Sequence, residues 1–190
     1  VDGASNTLTV NSAIQHSAQD GDFILNGEGT LEIGGLLSLD GTGDEISLLG
    51  SSTLVLGTGG NIQNGRNLKI GHDATLDLNG SSESFRDFRG GGTILNTSSD
   101  DITLGISRQG TFTGIINETD SGKISLSYTG NQDRTMDGLN TYTGTTTIQS
   151  NGRLIISNLA NGGSASGIGA SSSDASNLVI TGQDTAPDSN

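Results

Sequence analysis

Short β-forming runs alternate with turn residues along almost the whole chain. The runs consist of three to five residues of Thr, Ile, Leu and Val, separated by Gly, Asn, Asp and Ser. No segment carries apolar residues at the sustained 3.6-residue period of an amphipathic helix. Residues 140–156 are representative, because a Thr-rich run ends at Ile148, Asn151-Gly152 offers a turn, and a second apolar run follows. The pattern therefore predicts an all-β protein.

The strands also recur at a fixed spacing. Three interleaved series of apolar residues share one period. A repeat of this kind with three short strands is typical of a parallel β-solenoid, in which equivalent strands stack into three sheets. We therefore predict a right-handed parallel β-helix with about 22–23 residues per coil and about eight coils. The series are Leu8, Leu31, Leu54 and Leu76; Ile14, Leu37, Ile62 and Phe85; and Leu25, Leu48 and Ile70.

Alternation within each strand assigns side chains to the core or to solvent. In TLEI (30–33) and TLDL (75–78), the Leu and the last residue are expected to point inward, while Thr and the acid face water. Asn-Gly pairs such as Asn151-Gly152 suit the corners of a coil because they tolerate positive φ. They also suit antiparallel hairpins, so a β-sandwich stays open as the alternative fold.

The regular spacing of the strands is lost after Leu78. The next strand of comparable pattern is ITLGI (102–106), so we expect an inserted corner or loop over residues 81–92, around Phe85 and Phe88.

Composition fits an elongated domain. The chain has 31 Gly, only six aromatic residues and a single Pro, Pro187, so the core is expected to be narrow and backbone pairing is possible almost throughout. Residues 157–175 are low in complexity, and we predict an exposed loop there with Ile168 as its large apolar anchor. We predict that residues 1–190 form a single elongated domain, as a fragment or processed part of a larger secreted protein.

Charge and cysteine content narrow the range of partners. The formal net charge is -13, and residues 1–65 contain eight acids but no Lys or Arg. We expect no nucleic-acid partner, because phosphate binding requires basic groups. The absence of Cys excludes disulfides and thiolate–metal sites. The sequence has no signal peptide, transmembrane run or lipidation motif, so we expect no membrane insertion of this segment.

Four segments follow one another in a recognisable order in the second half of the chain. Asn140 to Gly144 reads Asn-Thr-Tyr-Thr-Gly without a gap, and Gly152 to Leu154 provides a Gly-Xaa-Leu strand. This succession resembles the autotransporter-associated β-strand repeat. The segments are ATLDLNGSSESFRDFRGGGTILN (74–96), ITLGISRQGTFTGII (102–116), KISLSYTG (123–130) and LNTYTGTTTIQSNGRLIISN (139–158).

The resemblance covers positions 74–158 well, whereas positions 1–73 follow it only in style. It implies a β-helix on the cell surface or outside the cell, without an enzymatic role. One departure is Met136-Asp137-Gly138, which stands where the family has an apolar residue, Ser and Gly. We therefore expect the incoming strand to be distorted there.

Two groups of charged residues have the composition of a glycan-cleaving site, in which carboxylates act as acid and base. They are Asp100 and Asp101 with Arg108, and Asp73 and Asp77 with Lys69 and His72. Solvated corners and outward strand positions explain these residues better, and few aromatics are present to stack on sugars. We predict no catalytic residue, no cofactor-binding residue and no enzymatic activity.

Metal sites are not indicated either. His16 and His72 lie in different coils without Cys nearby, so we predict no transition-metal site. DGTGDE (40–45) and SSDD (98–101) offer oxygen ligands, but their spacing matches neither an EF-hand nor the nonapeptide calcium repeat. Calcium is the one cofactor that such loops would suit.

The leading hypothesis is a structural stalk or adhesin-type passenger segment of a protein on the surface of, or secreted by, a Gram-negative-type bacterium. Its partners would be a host or cell-surface glycan or protein. The alternative is a self-assembling extracellular filament, since VDGASNTLTV (1–10) begins with a strand and only TAPDSN (185–190) looks like a stop. A glycan-binding or glycan-cleaving β-helix is the second alternative, although the net charge disfavours polyanionic glycans.

Overall fold

The computed structural model describes residues 6–17, 21–41, 43–149 and 151–182. Parallel strands wind into a β-solenoid of about seven turns, without an α-helix among these residues. The predicted fold class is thus confirmed. The β-sandwich alternative is wrong, because every strand pair in the described part of the chain is parallel. The right-handed sense of the winding stays a prediction, in line with the usual handedness of parallel crossovers.

Two faces of the solenoid form one continuous sheet. The strands β3 (Phe23–Ile33) and β5 (Glu45–Leu56) each run around a corner, where Gly27 and Gly50 adopt positive φ. The part before the corner belongs to face A and the part after it to face B. Face A continues through β7 (Asn67–Ile70), β10 (Asp87–Gly90), β13 (Gly110–Phe112), β16 (Asp133–Met136) and β18 (Arg153–Ile155). Face B contains β1 (Thr7–Val10), β8 (Thr75–Asp77), β11 (Thr93–Asn96) and β14 (Ile115–Glu118).

Face C is the third side of the solenoid and consists of two separate sheets. The first contains β2 (Ile14–His16), β4 (Leu36–Leu39) and β6 (Asn61–Ile62). The second contains β9 (Glu83–Phe85), β12 (Ile102–Ile106), β15 (Ile124–Tyr128), β17 (Thr146–Gln149) and β19 (Leu178–Thr181), which follows a short 3-10 helix at Ala175–Asn177. Within the described residues, no helix has the length and apolar character needed to cross a bilayer.

The pairing registers confirm the predicted period in the first coils. The stacked partners are Leu8, Leu31, Leu54 and Leu76 on face B, Leu25, Leu48 and Ile70 on face A, and Ile14, Leu37 and Ile62 on face C. Phe85 does not join its predicted series, because β9 pairs with β12 and not with β6. Equivalent Leu and Ile side chains therefore fill one buried column, and each rung covers the next.

The insertion predicted over residues 81–92 is wrong. These residues form β9 and β10, and Phe85 and Phe88 are buried in the column. The partner of Leu76 in the next rung is Ile94, which is a shorter step along the chain than the one from Leu54 to Leu76. The coil is therefore shortened rather than lengthened, and β11 also lies in the stretch where the pattern predicted no strand. Asp77, expected to face water, is also buried.

Coil length varies in the second half of the chain. The last rung of face C pairs Thr146 with Leu178, a much longer step than the preceding one from Leu126 to Thr146. This long excursion explains why about seven turns form instead of eight. The excursion is not one exposed loop as predicted for 157–175, because residues 165–171 are buried or half-buried. Ser166 bridges to Asn140 in the preceding coil, so backbone pairing anchors the segment.

Strand β16 is regular through its last residue, Met136, and pairs in register with β13. The distortion expected from Met136-Asp137-Gly138 is therefore not found. Asn151 lies in the turn between β17 on face C and β18 on face A, so the Asn-Gly pair forms a corner and not a hairpin tip. The strand predicted near the start of the chain is β1, Thr7–Val10. TAPDSN (185–190), the predicted stop, lies outside the described residues.

Candidate functional site

The first group of possible catalytic residues is spread over the molecule. Asp100 and Asp101 precede β12, whereas Arg108 follows it, and this five-residue strand spans roughly 15 Å. The Asp101 carboxylate accepts a hydrogen bond from the Lys123 backbone N–H at 2.8 Å. These residues lie at opposite ends of a strand and do not form an acid/base pair.

The second group is also divided between separate environments. His72 Nδ1 lies 2.7 Å from Asp73 Oδ1 in an exposed corner. Asp77 lies in β8, where its carboxylate accepts hydrogen bonds from the Thr97 hydroxyl at 2.8 Å and from the Asn79 N–H at 3.0 Å. These hydrogen bonds join Asp77 to the turn after β8 and to the residue that follows β11. Asp77 therefore stabilises the coil.

The oxygen-rich loops use their carboxylates for the fold. Asp44, which is buried, accepts hydrogen bonds from the backbone N–H groups of Gly41 at 2.7 Å and of Gly21 at 3.2 Å. In the part of the chain that the structure describes, no three His, Asp or Glu side chains converge as a metal site requires. Thr42, within the 40–45 loop, lies outside the described residues.

A buried arginine was missed by the sequence analysis. Arg134 on β16 points into the column, where its guanidinium pairs with Asp87 and donates to the Phe88 carbonyl. The guanidinium carbon also lies 4.5 Å above the Phe88 ring. Gly110 occupies the rung between them, and a side chain there would collide with both charged groups. Burial lowers the pKa of Arg134, and the Asp87 charge opposes that effect.

Glu83 is a second buried ionisable group, at the gap between the two sheets of face C. Its Oε1 accepts hydrogen bonds from the Ile62 N–H at 3.1 Å and the Ser81 hydroxyl at 3.0 Å, replacing a strand partner for Ile62. Its Oε2 is buried without a partner among the described residues. Desolvation raises the pKa of Glu83 from its ordinary value of 4.5 to about 7.

Stability should therefore depend on the protonation of Glu83. The folded state favours the neutral carboxyl, so the free energy of unfolding should fall as pH rises from about 4.5 to about 7 and then level off, by up to about 3 kcal/mol. Glu83→Gln should flatten this part of the pH profile, measured by urea unfolding between pH 4 and 8. Glu28→Gln, an exposed control on β3, should leave the profile unchanged. A wild-type slope in the Glu83→Gln variant would contradict the assignment.

The Asn-Thr-Tyr-Thr-Gly segment forms a corner where face B has no further strand. Asn140 is fully buried, and its Oδ1 accepts a hydrogen bond from the Ile116 N–H at 2.9 Å. Its amide also donates to the carbonyls of Gly138 at 3.3 Å and Gly167 at 3.2 Å. Tyr142 is fully buried, and its hydroxyl lies 2.6 Å from the Thr146 hydroxyl. The segment therefore has a structural role.

Removing the Asn140 side chain should be costly. Asn140→Ala leaves the Ile116 N–H and two carbonyls without their partner, and we expect a loss of about 2–3 kcal/mol in the free energy of unfolding. Chemical denaturation followed by circular dichroism measures it. Asn161→Ala, at an exposed position in the final excursion, is the matched control and should change stability by less than about 0.5 kcal/mol. Equal stability of the two variants would show that the corner does not depend on the amide.

One surface combines positive charge with hydrogen-bonding groups. Arg66, Arg86 and Arg108 line a cleft at the corner where face C turns into face A, together with Asn64 and Ser107. We name this cleft the arginine corner. In a chain with eight basic residues and a net charge of -13, three stacked arginines are a local reversal of the overall charge. Their nearly regular spacing is visible in the sequence.

A shallow groove on face C adjoins the arginine corner and shares Asn64 with it. Its surface is formed by small hydroxyl side chains around Gly105, which lies between Ser84 and Ser127 in the pairing register. We name it the hydroxyl groove. Its lining residues are Asn64, Ser82, Glu83, Ser84, Thr103, Gly105, Ser127 and Thr129.

Comparison with known proteins gives one informative similarity. Over 108 residues, or 56% of its length, the chain is 38% identical to the adhesin BmaC autotransporter of Brucella suis biovar 1 (strain 1330). The matched region spans 3% of that much longer protein. No protein-family model matches the chain, and no solved structure matches it.

Proposed function

We propose that this chain is an adhesin-type passenger segment of an autotransporter, exposed on or released from the surface of a Gram-negative-type bacterium. The observation that carries the proposal is its 38% identity to part of an autotransporter adhesin. The parallel solenoid supports it, because a stack of coils makes a rod with a long lateral surface. Such a rod serves as a stalk and as a binding surface at once.

The burial pattern supports a rigid rod rather than a catalytic domain. Most of its large apolar side chains fill the central column, and the carboxylates of Asp77 and Asp101 accept hydrogen bonds from neighbouring coils. We therefore propose a structural and adhesive role without catalysis.

Surface exposure is the first test. An antibody against residues 7–182 should label intact cells of the bacterium that carries the gene, and external protease should abolish the labelling. An in-frame deletion of the segment should then lower adhesion of the cells to host matrix. Labelling that appears only after permeabilisation would overturn the proposal.

End-to-end self-association is the second candidate function. It is favoured by exposed apolar side chains on both end rungs, where Leu8 is 52% and Ile180 68% exposed, and by the single strand partner of β1 and of β19 in the described part of the chain. Light scattering over a concentration series measures it, and a constant monomer mass would rule it out for this chain.

A further inference from the structure

We propose that the arginine corner binds a carboxylate or sulfate group of an acidic glycan, with the sugar hydroxyls lying along the hydroxyl groove. This assignment adds a ligand class and a binding site to the adhesive function proposed above. Its biological role rests on that function. It also identifies a local exception to the weak affinity for polyanions that the net charge predicts.

The three arginines lie at the same corner on three successive rungs. Asn67 pairs with Asp87, which aligns Arg66 with Arg86 just ahead of the face A strands. On the next rung, Ile106 pairs with Phe85, so Arg108 lies within one residue of the position opposite Arg86. Adjacent strands lie about 4.8 Å apart, and like charges at opposed positions destabilise a sheet. An anion in the cleft would be attracted by the positive charge concentrated at this corner.

Arg66 supplies an independent indication of a ligand. Its side chain lines the arginine corner, is only 8% exposed and donates to the Gly41 carbonyl. Its Nε is buried and has no hydrogen-bond partner among the described residues. A buried donor without an acceptor is unfavourable, and the planar guanidinium matches the geometry of carboxylate and sulfate oxygens.

Carboxylates close to the arginine corner have other partners. Asp44, in the rung before Arg66, accepts from two backbone N–H groups, and Asp87 pairs with Arg134 inside the column. Glu45 lies 2.5 Å from the guanidinium of Arg89. These three acids therefore do not supply the acceptor that Arg66 Nε lacks.

The hydroxyl groove favours a saccharide over a nucleic acid. Ser, Thr and Asn side chains can exchange hydrogen bonds with sugar hydroxyls along three successive rungs. Single-stranded nucleic acids instead need exposed aromatic rings on which bases stack. Among the described residues, Phe85, Phe88, Phe112, Tyr128 and Tyr142 are buried, and Phe23 is half-buried.

The test is a titration of the full chain at low ionic strength with four probes. They are a sulfated hexasaccharide, an oligogalacturonate, a neutral cello-oligosaccharide and single-stranded DNA. We expect either or both acidic saccharides to bind at least tenfold more tightly than the neutral one, with affinity falling as salt rises. The two acidic probes distinguish a sulfate from a carboxylate ligand. Absence of binding to both, or tighter binding of the DNA than of either, would overturn the proposal.

Two variants with the same charge change locate the site. Arg108 is exposed, so Arg108→Glu should fold, and it should weaken binding of the acidic saccharide at least tenfold. Lys123→Glu, exposed at the opposite end of the face C strands, should change affinity less than twofold. Arg66→Gln should also weaken binding, with circular dichroism as the check on folding. Equal losses for Arg108→Glu and Lys123→Glu would mean non-specific attraction and overturn the site.

The outcome is separable from that of the proposed function. Saccharide binding by a chain that the antibody cannot reach on intact cells would leave the site standing and remove the adhesive role. Surface labelling without any acidic-saccharide binding would remove the site alone.

Discussion

Replacing Asp87 with alanine is expected to lower the free energy of unfolding by about 3–5 kcal/mol, because it leaves the buried Arg134 guanidinium without its counter-charge. The remaining contacts, a carbonyl and the face of the Phe88 ring, do not neutralise a full positive charge. Urea unfolding monitored by circular dichroism gives the measurement. Removing one partner of a buried pair is more damaging than replacing both, so Asp87→Ala combined with Arg134→Met should recover much of the loss.

The exposed pair between Asp133 and Arg153 provides the control. Arg153 Nη2 lies 2.5 Å from Asp133 Oδ2 on the surface of face A, and the paired guanidinium lowers the pKa of Asp133. Solvent screens this pair, so Asp133→Asn should leave the melting temperature close to that of the wild type. If Asp87→Ala melted like Asp133→Asn, the burial of Arg134 in the column would be wrong.

The second large effect is expected for Leu54→Asp. Leu54 is fully buried at the centre of the face B stack, between Leu31 and Leu76. The substitution removes the apolar contacts, worth about 2–5 kcal/mol, and places an unpaired carboxylate in the column at further cost. The sum approaches the whole stability of a typical domain, so we expect the variant to be largely unfolded at 25 °C.

Leu8 is the matched control for this substitution because it occupies the equivalent register position in the first rung and is half exposed. Leu8→Asp should cause only a small fall in melting temperature, and Leu54→Ala should lie between the two, with a loss of about 2–5 kcal/mol. Circular dichroism and a thermal scan of the three variants test the order. Unchanged melting of Leu54→Asp would remove this residue from the core.

The period of the first coils was predictable because those coils have nearly constant length. The steps from Leu31 to Leu54 and from Leu54 to Leu76 are almost equal, and any stack of equal coils repeats its apolar residues in this way. The same reasoning failed after Leu76, because the next step on face B, from Leu76 to Ile94, is distinctly shorter. A search for a fixed period then passes over Ile94 and interprets a short coil as a loop.

Buried polar groups could not be predicted from local pattern. Alternation in DRTM places Arg134 on the same side as Met136, but an arginine is rarely buried. It is tolerated here because Gly110 leaves room and Asp87 lies two rungs away, far earlier in the chain. The burial of Glu83 could not be predicted either. Its carboxylate accepts from the Ile62 N–H because face C is divided into two sheets at that point, and no single segment of the sequence indicates this division.

The arginine corner could have been predicted from the sequence, whereas the long excursion of the last rung could not. Arg66, Arg86 and Arg108 recur near the coil period, so a search for periodic charge would have found them. In contrast, residues 165–171 have low complexity, and their packing follows from the backbone groups of Asn140 that the preceding coil leaves to be paired.

The Arg134 contacts also bear on how the rod would respond to mechanical load. A force that peels coils from the carboxyl-terminal end would open neighbouring rungs one at a time, since strands in a solenoid bond mainly to the next rung. Arg134 instead joins β16 to β10 across the intervening β13, so this coil cannot detach without breaking a contact two rungs below. The Arg134 side chain would therefore hold β16 and β10 together under load. Single-molecule extension should show that the coil containing β16 detaches at a higher force than the coils on either side.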